Sequence, residues 1–196
     1  KDTGTSGTDT IYYRYVSDKY ELAEGIEKVV LPNGTTSKDV TVMGNSGSND
    51  ITSGAGDDTV MAGDGDDTIY TASGDDKVDA GGGDDLIIGG DGAGDDSYDG
   101  GTGVDTIKYT SATDDIIVDL IKGIAGSKNG GDKAGIGSDT LKGIESVIGG
   151  YYDDLLIGDS ADNIFDAEKG DDTIKGGGGK DTAVYKGKLS EYIIKQ

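Results

Sequence analysis

Residues 54–62 and 63–71 read GAGDDTVMA and GDGDDTIYT, and this nine-residue step constrains the chain more than anything else in it. With the second acid of each pair at position six, the series runs SGAGDDTVM (53–61), AGDGDDTIY (62–70), TASGDDKVD (71–79) and AGGGDDLII (80–88). After two extra residues near Asp91 it continues through GAGDDSYD to Asp99 and then GGTGVDTIK at 100–108. GNSGSNDIT (44–52) precedes the run, with Asn49 at position six. A second block follows: GGYYDDLLI (149–157), GDSADNIFD (158–166), AEKGDDTIK (167–175) and GGGGKDTAV (176–184). GTSGTDTIY (4–12) and GSDTL (137–141) are isolated copies outside both blocks.

A period this short means a solenoid, because one nonapeptide cannot bury its single apolar side chain alone. Each Gly-rich stretch makes a turn, and the next three residues, such as Thr59-Val60-Met61, make a short strand. Side chains alternate faces along a strand, so position eight points inward. Its occupants are Ile51, Val60, Ile69, Val78, Ile87, Tyr98, Ile107, Leu156, Phe165, Ile174 and Ala183, the expected core. Two repeats make one coil, so turns on one edge come from residues 18 apart. That stacking brings carboxylates together at about the 4.8 Å strand spacing, which unfolds the coil unless a cation lies between them.

Composition says which cation. Of 39 acidic residues only six are Glu, beside 37 Gly and a net charge of −22. Short carboxylates next to glycines suit tight metal-binding turns. With no Cys and no His, the donors are all oxygen, carboxylates and turn carbonyls, which favours Ca²⁺ over Mg²⁺, zinc or copper. The same absences exclude disulfides, thiolate sites, Ser-His-Asp triads and the HExxH zinc motif. An acidic disordered segment is the alternative for a chain only 33% hydrophobic, and it is the expected state without metal. Such a charge repels nucleic acid and anionic lipid, and no apolar run approaches the roughly 18 residues that span a bilayer.

Competing motifs fail on particular residues. An EF-hand needs a Glu at loop position twelve and flanking helices, and neither is present. GGGGKD (176–181) lacks the Ser or Thr that a phosphate loop carries after Lys180. Ice binding requires a regular Thr array, but position seven mixes Thr59, Thr68, Thr106, Thr173 and Thr182 with Asp50, Lys77, Leu86, Ser97, Leu155 and Ile164.

The phrases match GGxGxDxUx, so the chain resembles the RTX calcium-binding nonapeptide repeats over 44–108 and 149–184. GSDTLKGIESVIGG and KDTAVYKGKLSEYII resemble junctions in large, type I-secreted bacterial adhesins of this group. The resemblance implies an all-β parallel β-roll, a β-solenoid with stacked Ca²⁺ ions. Its expected organisation is an adaptor over 1–43, a first block over 44–108, a strand-and-loop adaptor over 109–148, a second block over 149–185 and a C-terminal strand over 186–196. Within the adaptor, DDIIVDLI (114–121) reads as a strand, and 123–138 as a loop that is mobile or ordered by a further ion. Starting at Lys1 with neither Met nor a leader-like segment, the sequence reads as a piece of a longer protein.

The resemblance also implies a ligand set, several ions per chain. Carbonyls at positions two and four of one turn, carbonyls at positions one and three of the turn two repeats later, and both position-six acids form each site. Carried over, the sites are Gly54, Gly56 and Asp58 with Thr71, Ser73 and Asp76; Gly63, Gly65 and Asp67 with Ala80, Gly82 and Asp85; and Gly81, Gly83 and Asp85 with Gly100, Thr102 and Asp105. Sites that depart from the pattern pair Asn49 with Asp67, Asp76 with Asp96, Asp154 (with Gly150, and Tyr152 where Gly is expected) with Asp172, and Asn163 with Gly176, Gly178 and Asp181. The first acid of each pair, such as Asp57 or Asp66, reads as a solvent-facing charge.

No catalytic constellation is visible, so the expectation is a non-enzymatic, extracellular binding and structural module of an adhesin, toxin or surface-layer protein. The alternative is the carboxy-terminal calcium module of a secreted hydrolase or epimerase. Expected partners are calcium, the type I secretion machinery and, through neighbouring domains, a host-cell or surface glycan or protein.

Overall fold

A computed structural model describes residues 8–12, 17–31, 38–89, 92 and 94–186. Among these every regular element is a strand, and the chain forms a parallel β-solenoid of about nine turns. Of the C-terminal strand expected over 186–196, residues 187–196 lie outside the described residues.

Outside residues 116–142, successive strands alternate between two sheets. The first stacks Thr10–Tyr12, Lys28–Val30, Asp50–Thr52, Thr68–Tyr70, Leu86–Ile88, Thr106–Lys108, Ser146–Ile148, Ile164–Asp166 and Thr182–Val184. The second stacks Lys19–Glu21, Thr41–Met43, Thr59–Asp64, Lys77–Gly82, Ser97–Thr102, Ser138–Lys142, Ile124–Ser127, Ile116–Asp119, Leu155–Ile157 and Thr173–Lys175. The nonapeptide period sets the register: Val60 lies beside Val78 and Ile51 beside Ile69. The two extra residues near Asp91 stretch the step, so Val78 lies beside Tyr98, yet both sheets stay in phase.

The adaptor does not interrupt the solenoid. The first sheet passes directly from Ile107 to Val147. The second takes GSDTL as its next parallel strand, with Tyr98 beside Leu141, so this isolated copy is a rung of the roll. Ile124–Ser127 then pairs antiparallel with both Ser138–Lys142 and Ile116–Asp119, and Ile116–Asp119 resumes parallel pairing with Leu155–Ile157. Part of the stretch expected to be a mobile or ion-ordered loop is therefore a strand. The rest is held by the Asp132 carboxylate, which accepts the Ile136 and Gly137 N–H groups, and by full burial of Ala134 and Ile136.

The core is one cluster between the sheets. Ile51, Val60, Ile69, Ile87, Ile107, Leu156 and Phe165 are fully buried, and Val78 and Tyr98 nearly so. Ile174 is only partly buried and Ala183 is exposed, and among the described residues no further coil lies beyond their strands. Tyr20, Val29, Val42, Val118 and Val147 continue the same ladder through the segments outside the repeats.

Candidate metal centre

Each position-six acid ends a turn, and the parallel register stacks these acids along both edges of the roll. The sheet-two row is Asp58, Asp76, Asp96 and Asp139, resuming at Asp154 and Asp172. The sheet-one row is Asn49, Asp67, Asp85, Asp105, Glu145, Asn163 and Asp181.

One hydrogen bond repeats along the rows. The Asp58 N–H donates to Asp76 Oδ1 at 2.7 Å, and Asp67 N–H to Asp85 Oδ1 at 2.7 Å. Asn49 N–H donates to Asp67 at 2.6 Å, Asp76 N–H to Asp96 at 2.8 Å, and Asp85 N–H to Asp105 at 2.9 Å. In the second block Asp154 N–H donates to Asp172 at 2.9 Å and Asn163 N–H to Asp181 at 3.0 Å. Every acid pair expected from the pattern is thus brought together, including Asp76 with Asp96 across the insertion.

The turn backbone supplies further oxygens. A Cβ built on Gly81 would lie 1.9 Å from the Gly63 carbonyl oxygen, and one on Gly83 2.3 Å from that of Gly65. Carbonyls at positions two and four therefore point into the gap between stacked turns, which glycine leaves open. The Gly56, Gly81 and Gly83 carbonyls face Gly74, Gly101 and Gly103 in the same way. Gly44 faces the position-one carbonyl of Ala62, and Gly158 that of Gly176. Carbonyls of Ser73, Gly82 and Thr102 accept the N–H groups of Gly56, Gly65 and Gly83, which leaves each a second lone pair. Thr71 O accepts the Ser53 hydroxyl at 3.3 Å. Gly100 and Gly176 pass under the carboxylates of their own turns, where a Cβ would meet Asp105 and Asp181. Ala80 is fully buried, Gly54 has a left-handed φ of 97°, and Gly178 N–H donates to Asp159 O at 2.7 Å.

Whether these donors fit a cation is answered by the second carboxylate oxygen. The Oδ2 atoms of Asp58, Asp67, Asp76, Asp85 and Asp105 are buried and have no hydrogen-bond partner, although native interiors almost always satisfy such atoms. Burial is the largest cause of the raised proton affinities: it pushes Asp67 to about 7, Asp76 to about 8 and Asp85 to about 6, and raises Asp58 and Asp105. Backbone hydrogen bonds oppose the shift in each case. Dehydrated carboxylates with a free oxygen, beside inward-facing carbonyls, suit a hard divalent cation of Ca²⁺ type.

Elsewhere the free oxygen is taken. Asp154 Oδ2 accepts Gly150 N–H at 2.7 Å while its Oδ1 accepts Ile116 N–H at 3.0 Å. Asn49 and Asn163 turn their side-chain oxygens onto Asn45 and Asp159 N–H, each at 2.9 Å. Asp96 and Asp139 are bonded by buried tyrosines.

Three features lie outside the motif reading. Asp139 and Glu145 belong to the acid rows but sit in the adaptor; Glu145 Oε2 accepts Asp105 N–H at 3.1 Å. The segments GIEKVV (25–30) and GIESVI (143–148) share a phrase that carried this signal, since Glu27 lies beside Asn49 as Glu145 lies beside Asp105. The first acids are exposed, as expected, and also staple the turns: Asp75 N–H donates to Asp57 Oδ1 and Asp95 N–H to Asp75 Oδ1, both at 2.9 Å, and Asp84 N–H to Asp66 Oδ1 at 3.0 Å. Asp99, at position nine, has one buried oxygen without a partner, and its other oxygen pairs with Lys142 at 2.6 Å.

A glycine-turned parallel β-solenoid with rows of dehydrated aspartates along its edges is a metal-stacked repeat scaffold. The RTX calcium-binding nonapeptide repeat profile matches residues 43–78, 61–94, 70–107 and 148–183. These segments cover just over half of the chain, which belongs to that family. Its repeats bind calcium. No curated protein sequence matches the chain.

Proposed function

We propose that this chain is a calcium-folded, non-enzymatic module of a secreted bacterial protein of the adhesin, toxin or surface-layer kind, exported by a type I channel and functioning outside the cell. The observation that carries the reading is the set of buried, partnerless Oδ2 atoms on Asp58, Asp67, Asp76, Asp85 and Asp105. Without a cation these carboxylates are dehydrated beside one another, and the fold is opposed by their repulsion and by the conformational entropy of a Gly-rich chain. Calcium coordination links folding to the ion.

Residues 44–105 contain 16 Asp and a single cation, Lys77, so the barrier to folding is concentrated there. Cytosolic calcium lies below the ~10⁻⁴–10⁻³ M range typical of extracellular modules. The chain then enters an export channel unfolded and folds where calcium is plentiful. The adaptor supports a structural role, because its strands extend the solenoid rather than leave it.

Far-UV circular dichroism during calcium titration and chelation tests the reading. The chain is expected to be largely disordered in chelator and β-rich in millimolar calcium. A spectrum identical in both conditions overturns the proposal.

A further inference from the structure

The two edges of the roll differ at one rung. On the sheet-two row, Tyr98 Oη donates to Asp96 Oδ2 at 2.7 Å, and Tyr109 Oη donates to Asp139 Oδ2 at 2.7 Å. All four side chains are enclosed, with exposures of 1% for Tyr98, 0% for Tyr109, 5% for Asp96 and 1% for Asp139. Asp96 N–H still donates to Asp139 Oδ1 at 3.1 Å, so the row is continuous.

The turn backbone does not change here. A Cβ on Gly137 would lie 1.7 Å from the Gly94 carbonyl oxygen, one on Gly94 2.0 Å from that of Gly74, and one on Gly74 2.1 Å from that of Gly56. The carbonyl stack of the cation-fitting rungs therefore runs through this one. Only the side-chain chemistry differs, and the sequence has made room for it. A Cβ on Gly89 would come within 3.1 Å of Tyr98 Oη and 3.2 Å of the Tyr109 ring. At the other first-block rungs position eight is Ile or Val, which has no polar atom to offer a carboxylate.

We propose that Tyr98 and Tyr109 are built-in substitutes for calcium, their hydroxyls closing the Asp96–Asp139 rung so that no ion binds between these two turns. Each phenol O–H gives a buried carboxylate oxygen the partner that a cation supplies to Asp58, Asp67 or Asp85. Inserting an ion would break two buried hydrogen bonds and leave two enclosed hydroxyls without acceptors. The ion file of this edge therefore ends at Asp96, where the nonapeptide block meets the adaptor. The adaptor's first parallel rung, Ser97–Thr102 against Ser138–Lys142, then joins the roll without an ion of its own. This inference rests on the calcium reading.

Calcium per chain, measured on the full chain by equilibrium dialysis and elemental analysis, tests it. Asp139→Asn keeps an acceptor for Asp96 N–H and places an amide N–H donor against Tyr109 Oη, a hydroxyl that accepts as well as donates, and is expected to leave the ion count and the calcium midpoint unchanged. Asp67→Asn is expected to lose bound calcium. The double variant Tyr98→Phe/Tyr109→Phe frees both oxygens and is expected to bind one more ion per chain. Loss of an ion in Asp139→Asn overturns the inference, as does a folded double variant with the parent's ion count. If the double variant does not fold, Asp139→Asn decides alone. An unchanged ion count in Asp67→Asn would instead overturn the calcium reading and carry the inference down with it.

Discussion

The first block, 44–108, and the second, 149–185, carry the same nine-residue pattern and match the same repeat profile, yet they treat their carboxylates differently. In the first block five position-six acids keep a buried oxygen without a partner. In the second, Asp154 has both oxygens on backbone N–H groups, Asn163 caps its own turn, Asp172 is only partly buried and Asp181 is exposed. The cause is local. Tyr152 stands where the first block has glycine, and both uncharged position-six residues, Asn49 and Asn163, have an oxygen that accepts an N–H four residues earlier in their own turn. A repeat profile reads the period, whereas the need for an ion is set by whether the turn leaves the second oxygen unpaired.

The largest expected effect of that difference falls on a shared first-block acid. Asp85 pairs with both Asp67 and Asp105, while among the described residues Asp181 pairs with Asn163 alone. Asp85→Ala is expected to raise the calcium midpoint of folding by about tenfold or more, and Asp181→Ala by no more than about twofold, since removing a charged ligand weakens a hard-cation site. Equal midpoints would erase the distinction between the blocks.

Acidity sharpens the comparison without calcium. The raised carboxyls of the fold, about 7 for Asp67, 8 for Asp76 and 6 for Asp85, bind protons that an unfolded chain releases near the ordinary value of 3.8. Their stability is fully present below the unfolded value and is lost as pH rises through about 6 to 8. In the second block Asp154, at about 6, and Asp172 are raised. Metal-free chain is therefore expected to gain protection on acidification from about pH 8 to about pH 5, more in 44–108 than in 149–185. Hydrogen exchange by mass spectrometry, corrected for intrinsic rates, resolves the two blocks. Greater protection at the higher pH would contradict the assignment.

Much of this was legible in the sequence because the period is rigid. A nine-residue step with an aliphatic at position eight fixes the register, so Ile51 beside Ile69 and Asp58 beside Asp76 follow from counting. Outside the period, counting fails. Leu141 lies 43 residues from Tyr98 and yet beside it, because the intervening chain leaves through a turn of sheet one and returns through an antiparallel hairpin. Nothing in the spacing of GSDTL shows that. Nor does spacing show which carboxylate oxygen is free: the Asp96–Tyr98 bond depends on an aromatic at a core position and on the space left by Gly89.

Packing separates the blocks by a smaller margin. Ile69 is fully buried, with rungs on both sides, while Ile174 is partly exposed on the last described rung of its sheet. In saturating calcium Ile69→Ala is expected to cost about 2–5 kcal/mol, as buried Ile truncations do, and Ile174→Ala about 1 kcal/mol. Denaturant unfolding of both variants measures it, and equal losses would mean that the last described coil is covered as well as the middle ones.

The smallest differences belong to the turns. Gly83 has a φ of 131°, and a Cβ there would lie 2.3 Å from the Gly65 carbonyl oxygen and 3.0 Å from Asp66 Oδ1. Gly83→Ala must adopt a backbone that L-residues avoid, at about 1–2 kcal/mol, and it crowds a carbonyl that faces the gap between turns. Gly178, in the second block, has no left-handed φ, and its nearest neighbour would be Ser160 Cα at 3.5 Å, an ordinary contact. Its N–H and carbonyl both survive substitution, so the bond to Asp159 O is kept. Gly178→Ala also narrows the unfolded ensemble, so its expected effect runs from none to a gain of about 1 kcal/mol, with no change in calcium midpoint. A loss of stability or a raised calcium midpoint in Gly178→Ala, comparable to that of Gly83→Ala, would show that the second-block turns are held as tightly as the first.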